Sequence, residues 1–427
     1  MSVPTPPKRK RWFGLATMDL APLRRHRDFR LLFIGRMVSF FGTMLTVVAF
    51  PYQVYVLTHS LVLVGTLGLL EFAAILTFAF VGGALADARD RRSMVLVSEA
   101  ALMGCSLLLA GNAFLPRPQV WLLFAISMAW GTLDALQRPS LDAMLPRLVD
   151  REELAAAAAL GSLRGTIGQI AGLALGGVLV ATIGLSGTYL VDAATFVVGL
   201  VCLWLMRSVP PPVDAERPSL RRVAEGLRYA RSRPELIGTY AIDMVAMFFG
   251  FPTALFPAMA QSLGGPKVLG LLYAAPAVGS LLFSATSGWT GRVHRHGLAV
   301  IVAAILWGFA IVGLGFAQGL WGALVCLACA GGADMMSGLF RQVIWNQTIP
   351  DSLRGRLASI ELLSYTSGPA LGNFEAGAVA ALFSIRASIV SGGVLCVIGC
   401  ALTALVLPGF RAYDARKHLA ADSAPAT

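Results

Sequence analysis

Runs of roughly 20 apolar residues recur along the whole chain, set apart by short polar intervals. Twelve are counted, near 31–57, 62–86, 93–114, 119–137, 157–183, 187–206, 236–262, 267–290, 298–317, 320–341, 357–383 and 387–407. The runs are long and lack period-two alternation, which disfavours a large β-barrel. Phe50-Pro51, Phe251-Pro252 and Ala275-Pro276 lie inside runs. Lipid-embedded helices tolerate such breaks where neighbouring helices re-satisfy the backbone. The pattern predicts an all-α membrane protein of twelve transmembrane helices.

The polar intervals give the organisation. Residues 1–30 read as a basic N-terminal tail without a cleavable apolar core, so not as a signal peptide. Residues 31–206 form a first six-helix bundle and 236–407 a second, with a tail at 408–427. Between the bundles, 207–235 begins with a proline run and continues from Ser219 as a basic amphipathic segment, expected to lie along the membrane surface. With the N-terminus inside, about 29 of the 34 Lys and Arg fall in the tails and the even-to-odd loops. Arg117, Lys267 and Arg386 lie outside, and Arg36 and Arg164 within spans. This bias places both termini in the cytoplasm of a multi-pass plasma (inner) membrane protein.

Composition agrees. The chain of 427 residues is 56% hydrophobic and 13% charged, with a mean hydropathy of +0.72. The net charge of +11 comes from the membrane-flanking loops, and no nucleic-acid partner is implied. All six cysteines fall in apolar segments. Cys326-x-x-Cys329 has no second ligand pair near it and reads as packing, not as a metal site.

The two halves resemble each other. GQIAGLALGGVLVATIGL around Gly172 aligns with SYTSGPALGNFEAGAVAALF around Gly368, with Gly176 on Gly372. GGALADARDRR after span 2 is matched by SGWTGRVHRHG after span 8. Repeated six-helix halves are a construction of secondary transporters, with substrate bound between them.

On these residues the chain resembles the major facilitator superfamily. Gly83, Asp87, Arg91 and Arg92 match that superfamily's signature between spans 2 and 3, although Ala88 replaces a basic residue and Asp90 a glycine. Span 5 is similar to the antiporter signature of exporters through Gly168, Gly172, Gly176 and Gly177, with Leu173 where that signature has proline. The arginine usual within span 4 is missing, Arg138 lying at the end of that span beside Pro139. The segments QRPSLDAMLPRLV and NQTIPDSLRGRLASIELLSYTSGPALG look most like the enterobactin-exporter and macrolide-efflux branch of drug:proton antiporters. The resemblance implies proton-coupled, alternating-access efflux of a small amphipathic molecule, of multidrug or siderophore type. Uptake of a nutrient on the same fold is the alternative. It also implies a gating loop in which Asp87 meets the start of span 11, near Arg356 to Ser359, while Arg91 and Arg92 anchor the loop. On span 5, Gly168, Gly172 and Gly176 share one face, which is expected to pack against the opposite half.

Ionisable residues inside spans are costly unless paired or functional. Glu71 lies nearest a bilayer centre; Arg36, Asp134, Asp243 and Asp334 fall on spans 1, 4, 7 and 10, the cavity-lining spans of the superfamily. Glu71 and Asp334 are the leading candidates for carrying coupling protons, and Glu99, Asp192, Arg164, Glu361 and Glu375 read as structural. Trp130, Met247, Phe248, Trp345 and Tyr365 are candidate walls of the substrate cavity. No histidine falls inside a predicted span, and no G-x-x-x-x-G-K-S/T loop is present. The expectation is therefore a monomeric transporter with no catalytic residues, metal or organic cofactor, driven by the proton gradient and partnered by membrane lipid.

Overall fold

In lipid each backbone N–H and C=O must be satisfied within the chain, so long apolar runs fold as helices. The computed structural model describes residues 19–210 and 220–416, apart from some side chains within 80–87, 220–226 and 351–363. Span 1 is the helix Arg27–Thr58, span 2 Leu61–Ala88, span 3 Arg91–Phe114 and span 4 Val120–Leu148. Spans 5 and 6 are the two arms of one helical run, Leu154–Leu205, which turns back at Gly184. The turn needs φ +75° there, a region glycine enters without steric cost. Span 7 is Pro234–Phe249 continued by the short helix Phe256–Leu263. Spans 8 to 12 are Pro266–Thr286, His296–Phe316, Leu320–Thr348, Asp351–Leu382 and Ile385–Val406. Among the described residues the fold is all-α, and these elements supply twelve helical arms.

Helix starts carry local signals. Ser60 Oγ accepts from Leu63 N at 3.3 Å and Ser384 Oγ from Ala387 N at 3.1 Å, capping spans 2 and 12. The Phe251-Pro252 break in span 7 is repaired from outside the helix. Ala254 N donates to Asn373 Oδ1 at 2.8 Å, and Gly250 O accepts from Trp307 Nε1 at 3.1 Å.

The face on which span 1 begins and span 12 ends is here the tail face, and the opposite one the far face. The halves meet along spans 5 and 8 and along spans 2 and 11. Both seams lie toward the far face and both are made by small residues. A Cβ on Gly177 would lie 2.5 Å from Pro266 O and 2.6 Å from Gly270 N. A Cβ on Gly65 would lie 2.5 Å from Asn373 O. Asn373 stands one residue after Gly372, as Gly177 stands after Gly176, so the repeat read from sequence is also a repeat of contacts.

The glycine face of span 5 is placed differently from the expectation. Gly168 faces the Phe40 ring, Gly172 the Met44 side chain and Gly176 the backbone of Leu45, all on span 1 of the same half. Gly177 alone of the four reaches the opposite half. One residue is about 100° of helix rotation, so a stripe at i, i+4, i+8 and its next residue serve different neighbours. In the second half Gly368 faces Met247, the counterpart of Gly172 on Met44.

Candidate functional site

A cavity of about 720 Å³ runs along the inner face of span 1. It extends from Phe29, Leu145 and Ala157 at the tail-face ends of spans 1, 4 and 5 to Thr253, Ala254, Tyr273 and Asn373 beneath the far-face seal. Proline breaks and small residues shape its deep end. Trp130 lines it, stacked on Phe50 at 6.2 Å between ring centroids.

Charged groups cluster on the walls. Arg36 of span 1 pairs with the fully buried carboxylate of Glu99 on span 3, and Gln137 Nε2 of span 4 donates to the same Oε1 at 2.8 Å. From sequence alone Arg36 has no assigned acid, and Glu99 reads as structural near a span end. The structure makes them one unit, because Glu99 is the acid that spans 1 and 3 bring opposite Arg36. Asp134 lies 3.7 Å from Arg138, one turn further along span 4. Arg138 is itself inside the helix, which continues through Pro139 and Pro146, and not at its end as expected. Its Nη1 donates to Tyr365 Oη at 3.1 Å, a bond from the first half to span 11 of the second.

Glu71 lines the cavity facing Asp134 and Arg138, and it makes no hydrogen bond or ion pair to any described residue. Its backbone carbonyl is packed against Gly131 of span 4. In the second half Asp243 and Asp334, read on spans 7 and 10, converge on Arg341. That guanidinium contacts Asp243 Oδ1 and lies 4.0 Å from Asp334 Oδ1, while Ser364 Oγ is 3.5 Å from Asp243 Oδ2. Arg341 was the last position of the tenth predicted span; the helix runs on to Thr348, which places it inside. The signal in the sequence was the spacing of Asp334 and Arg341, two helical turns apart on one face.

The five candidate cavity residues separate. Trp130 lines the cavity described above. Met247 is buried under Gly368, and Trp345 is buried with its Nε1 donating to Thr239 Oγ1 at 2.9 Å and its ring stacked on Tyr240. Phe248 stands edge-on to Phe249 at 4.8 Å. Met247 and Trp345 thus serve the packing of the second half, because tight helix approach at Gly368 and Thr239 consumes those faces. Tyr365 is 45% exposed and is engaged by Arg138.

The loop after span 2 is built as a staple within the first half. Asp90 caps span 3, accepting from Ser93 N and Ser93 Oγ at 2.8 Å each. Its other oxygen accepts from Ser208 Oγ at 2.6 Å and Val209 N at 2.7 Å, beyond the end of span 6. Burial works to raise the Asp90 carboxyl, but these hydrogen bonds outweigh it and hold the pKa below the ordinary carboxylate value. Arg92 donates to Leu203 O at 2.6 Å and Trp204 O at 2.7 Å, and Arg91 to Ala143 O at 3.0 Å. Cations at helix C-termini meet the orphan carbonyls there. Gly82 lets span 2 approach the Ala135 carbonyl of span 4. The side chains of Asp87 and of the expected partners Arg356, Ala358 and Ser359, and the surroundings of Gly83, lie outside what is described.

Outside the cavity, two buried polar groups knit the first bundle. Asp192 Oδ2 of span 6 accepts from Thr46 Oγ1 and Ser106 Oγ, each at 2.7 Å, and Tyr189 Oη donates to Gln53 Oε1 at 2.7 Å. At the tail face His26 Nε2 lies 2.8 Å from Glu153 Oε2 and 3.7 Å from Asp150 Oδ2. Their ligand atoms fall within 4.8 Å of one another, but Arg25 already takes the other Glu153 oxygen at 3.0 Å. This cluster ties the approach to span 1 to the start of span 5.

Comparison with known proteins converges on one family. The family model described as transmembrane secretion effector matches residues 17–425. The chain is 30% identical to the enterobactin exporter EntS of Salmonella typhi over 400 residues, covering 93% of this chain and 96% of that one. A POT family transporter solved with 5-aminolevulinic acid superposes with a TM-score of 0.72 at 12% identity, covering 90% of this chain and 97% of its own. A bacterial homologue of the human lysosomal transporter Spinster, inward-facing and unoccupied, gives 0.67 at 16% identity, covering 93% and 98%. These two likenesses carry the fold. With its repeated halves and a cavity lined from both, the chain is a multi-pass membrane transporter and not an enzyme; it belongs to the transmembrane secretion effector family of the major facilitator superfamily.

Proposed function

We propose that the protein exports a small siderophore-type molecule by proton-coupled alternating access, from a bacterial inner membrane with both termini in the cytoplasm. The observation that carries this reading is a cavity that reaches the tail face while glycine seams close the far face. The strongly basic loops belong to the tail face, and the positive-inside rule makes that face cytoplasmic. The state is then inward-facing, ready to load from the cell. The kinship with an enterobactin exporter supports the direction and the substrate class.

The proton gradient is the energy source, with no organic cofactor or metal. Glu71 is the leading proton carrier, because it faces the cavity without a cation of its own. Asp334, held loosely at 4.0 Å from Arg341, is the second. Protonation of either changes the charge balance at the seam between states, which biases the rocking of the halves. The working unit is a monomer in lipid.

Transport into inverted vesicles under an imposed pH gradient tests the reading, with enterobactin, a macrolide and a cationic dye compared. Gradient-dependent accumulation of enterobactin is expected, and its loss in Glu71→Gln and Asp334→Asn with folding intact. Accumulation of none of the three, or indifference to the gradient, overturns the proposal.

A further inference from the structure

On span 5 the residues turned to the cavity are Ala157, Gly161 and Arg164, one turn apart. One turn further, Gly168 is pressed against the Phe40 ring of span 1. Arg164 therefore sits where span 5 parts from span 1 and the cavity wall begins. It belongs to an apolar run, Arg151–Leu205, in which a guanidinium is costly unless paired or used.

The other arginines of the cavity are matched. Arg36 rests on Glu99, and Arg138 holds Asp134 and donates to Tyr365. Arg164 makes no hydrogen bond or ion pair to any described residue, and its Nε is buried without an acceptor. The charge that bears on it is that of Arg36, which has the same sign. A fixed cation without a counter-ion among the described residues, facing a cavity of small-molecule size, is a site prepared for an anion.

We propose that Arg164 binds a carboxylate of the transported molecule. The proposal rests on the reading of this cavity as the transport site. A guanidinium fork matches such a group with two parallel N–H···O bonds, which a lysine ammonium does not reproduce. Phe33 and Phe40 line the same wall and offer ring surface to an aryl group carrying the acid. Glu71, Asp134 and Asp142 also line the cavity and repel a second anion, so one acidic head is held at Arg164 while the rest of the molecule extends inward.

The test is equilibrium binding of 2,3-dihydroxybenzoate and of its methyl ester to the purified full-length protein, read by calorimetry. Wild type is expected to prefer the acid. Arg164→Gln is expected to weaken the acid about ten- to a hundredfold and to leave the ester within about twofold, the loss of one charge-assisted pair. Arg164→Lys is expected to fall between, keeping the charge and losing the fork, and it carries the test if the glutamine variant does not fold. The unchanged ester affinity reports an intact cavity. Equal weakening of acid and ester, an unaltered acid affinity in both variants, or a wild type that binds neither would each overturn the proposal. Because binding is measured without a gradient, failure of proton-coupled export appears only in the vesicle assay and is separable.

Discussion

Gly177 on span 5 and Gly270 on span 8 face each other backbone to backbone across the two halves: a Cβ on Gly270 would lie 2.9 Å from Gly177 N and 2.7 Å from Leu173 O. Neither partner is the movable end of a side chain, so added bulk must push the helices apart. Gly177→Leu is expected to destabilise the far-face seal by about 1–3 kcal/mol, the usual cost of overpacking. At 1.4 kcal/mol per tenfold, that redistributes the two states by roughly five- to a hundredfold. Spin labels at Thr182 and Ser262, after replacement of the six free cysteines, read the far-face separation. A distance distribution unchanged from wild type would contradict the assignment of Gly177 to the seal.

Arg341 and Asp243 make a buried pair whose members are 11% and 6% exposed in their side chains. Removing one partner leaves the other charge buried, which costs about 3–5 kcal/mol. Arg341→Gln and Asp243→Asn are each expected to lower the thermal midpoint strongly in detergent, and the double variant to lose clearly less than the two together. A coupling of about 1 kcal/mol or more in the double-mutant cycle is the expected reading. Strict additivity would mean the two side chains do not support one another.

How far the sequence reached depends on what periodicity encodes. It counts crossings, because a membrane demands about 20 apolar residues per helix. It also exposed the repeat, and the structure turns that into matched contacts, Gly172 on Met44 and Gly368 on Met247. It ranks depth along a helix as well, so Glu71 reads as nearest a bilayer centre and Asp134 as lying on a cavity-lining span. It does not encode which neighbour a helix face meets. Gly176 and Gly177 differ by one residue yet pack on different halves, and Arg36 finds Glu99 only because spans 1 and 3 both approach span 6 at Gly199. Arg341 was missed for another reason: polar residues in the last turns of span 10 look like a loop, although the helix carries them to Thr348. Asp90, read only as a departure from the superfamily's glycine, announced itself as an N-cap through the serine three residues on.

Asp90 gives a pH dependence of known sign. Its carboxyl titrates lower in the folded protein than in the unfolded chain, where the value is about 3.9. The stabilisation from its four hydrogen bonds is therefore fully present above the unfolded value and is lost as pH falls through the folded one. Asp90→Ala is expected to cost about 0.5–2 kcal/mol at neutral pH, the range for loss of a helix N-cap. In thermal unfolding the wild type and the variant are expected to converge at pH values well below about 3.9. A gap that stays constant with pH would show that the side chain contributes by packing and not as a carboxylate.

Arg138 and Tyr365 join span 4 to span 11, so their bond exists only in states that bring those spans together. A hydrogen bond from a charged donor contributes about 1.5–3 kcal/mol, and less here because Arg138 and Tyr365 are both partly exposed. Tyr365→Phe removes the acceptor and keeps the ring, so packing is preserved while the link between halves is lost. The population of the state described here is expected to fall by up to about tenfold, which corresponds to roughly 1.4 kcal/mol. Arg138 then keeps Asp134 as its partner at 3.7 Å, and folding stability is expected to change little. The check is the rate of alkylation of a single cysteine at Gly161, where a Cβ meets only open space on the cavity wall, in wild type and Tyr365→Phe. Slower alkylation in the variant, with an unchanged thermal midpoint, is the expected pattern. An equal rate in both proteins would mean that the bond holds in every state and takes no part in switching.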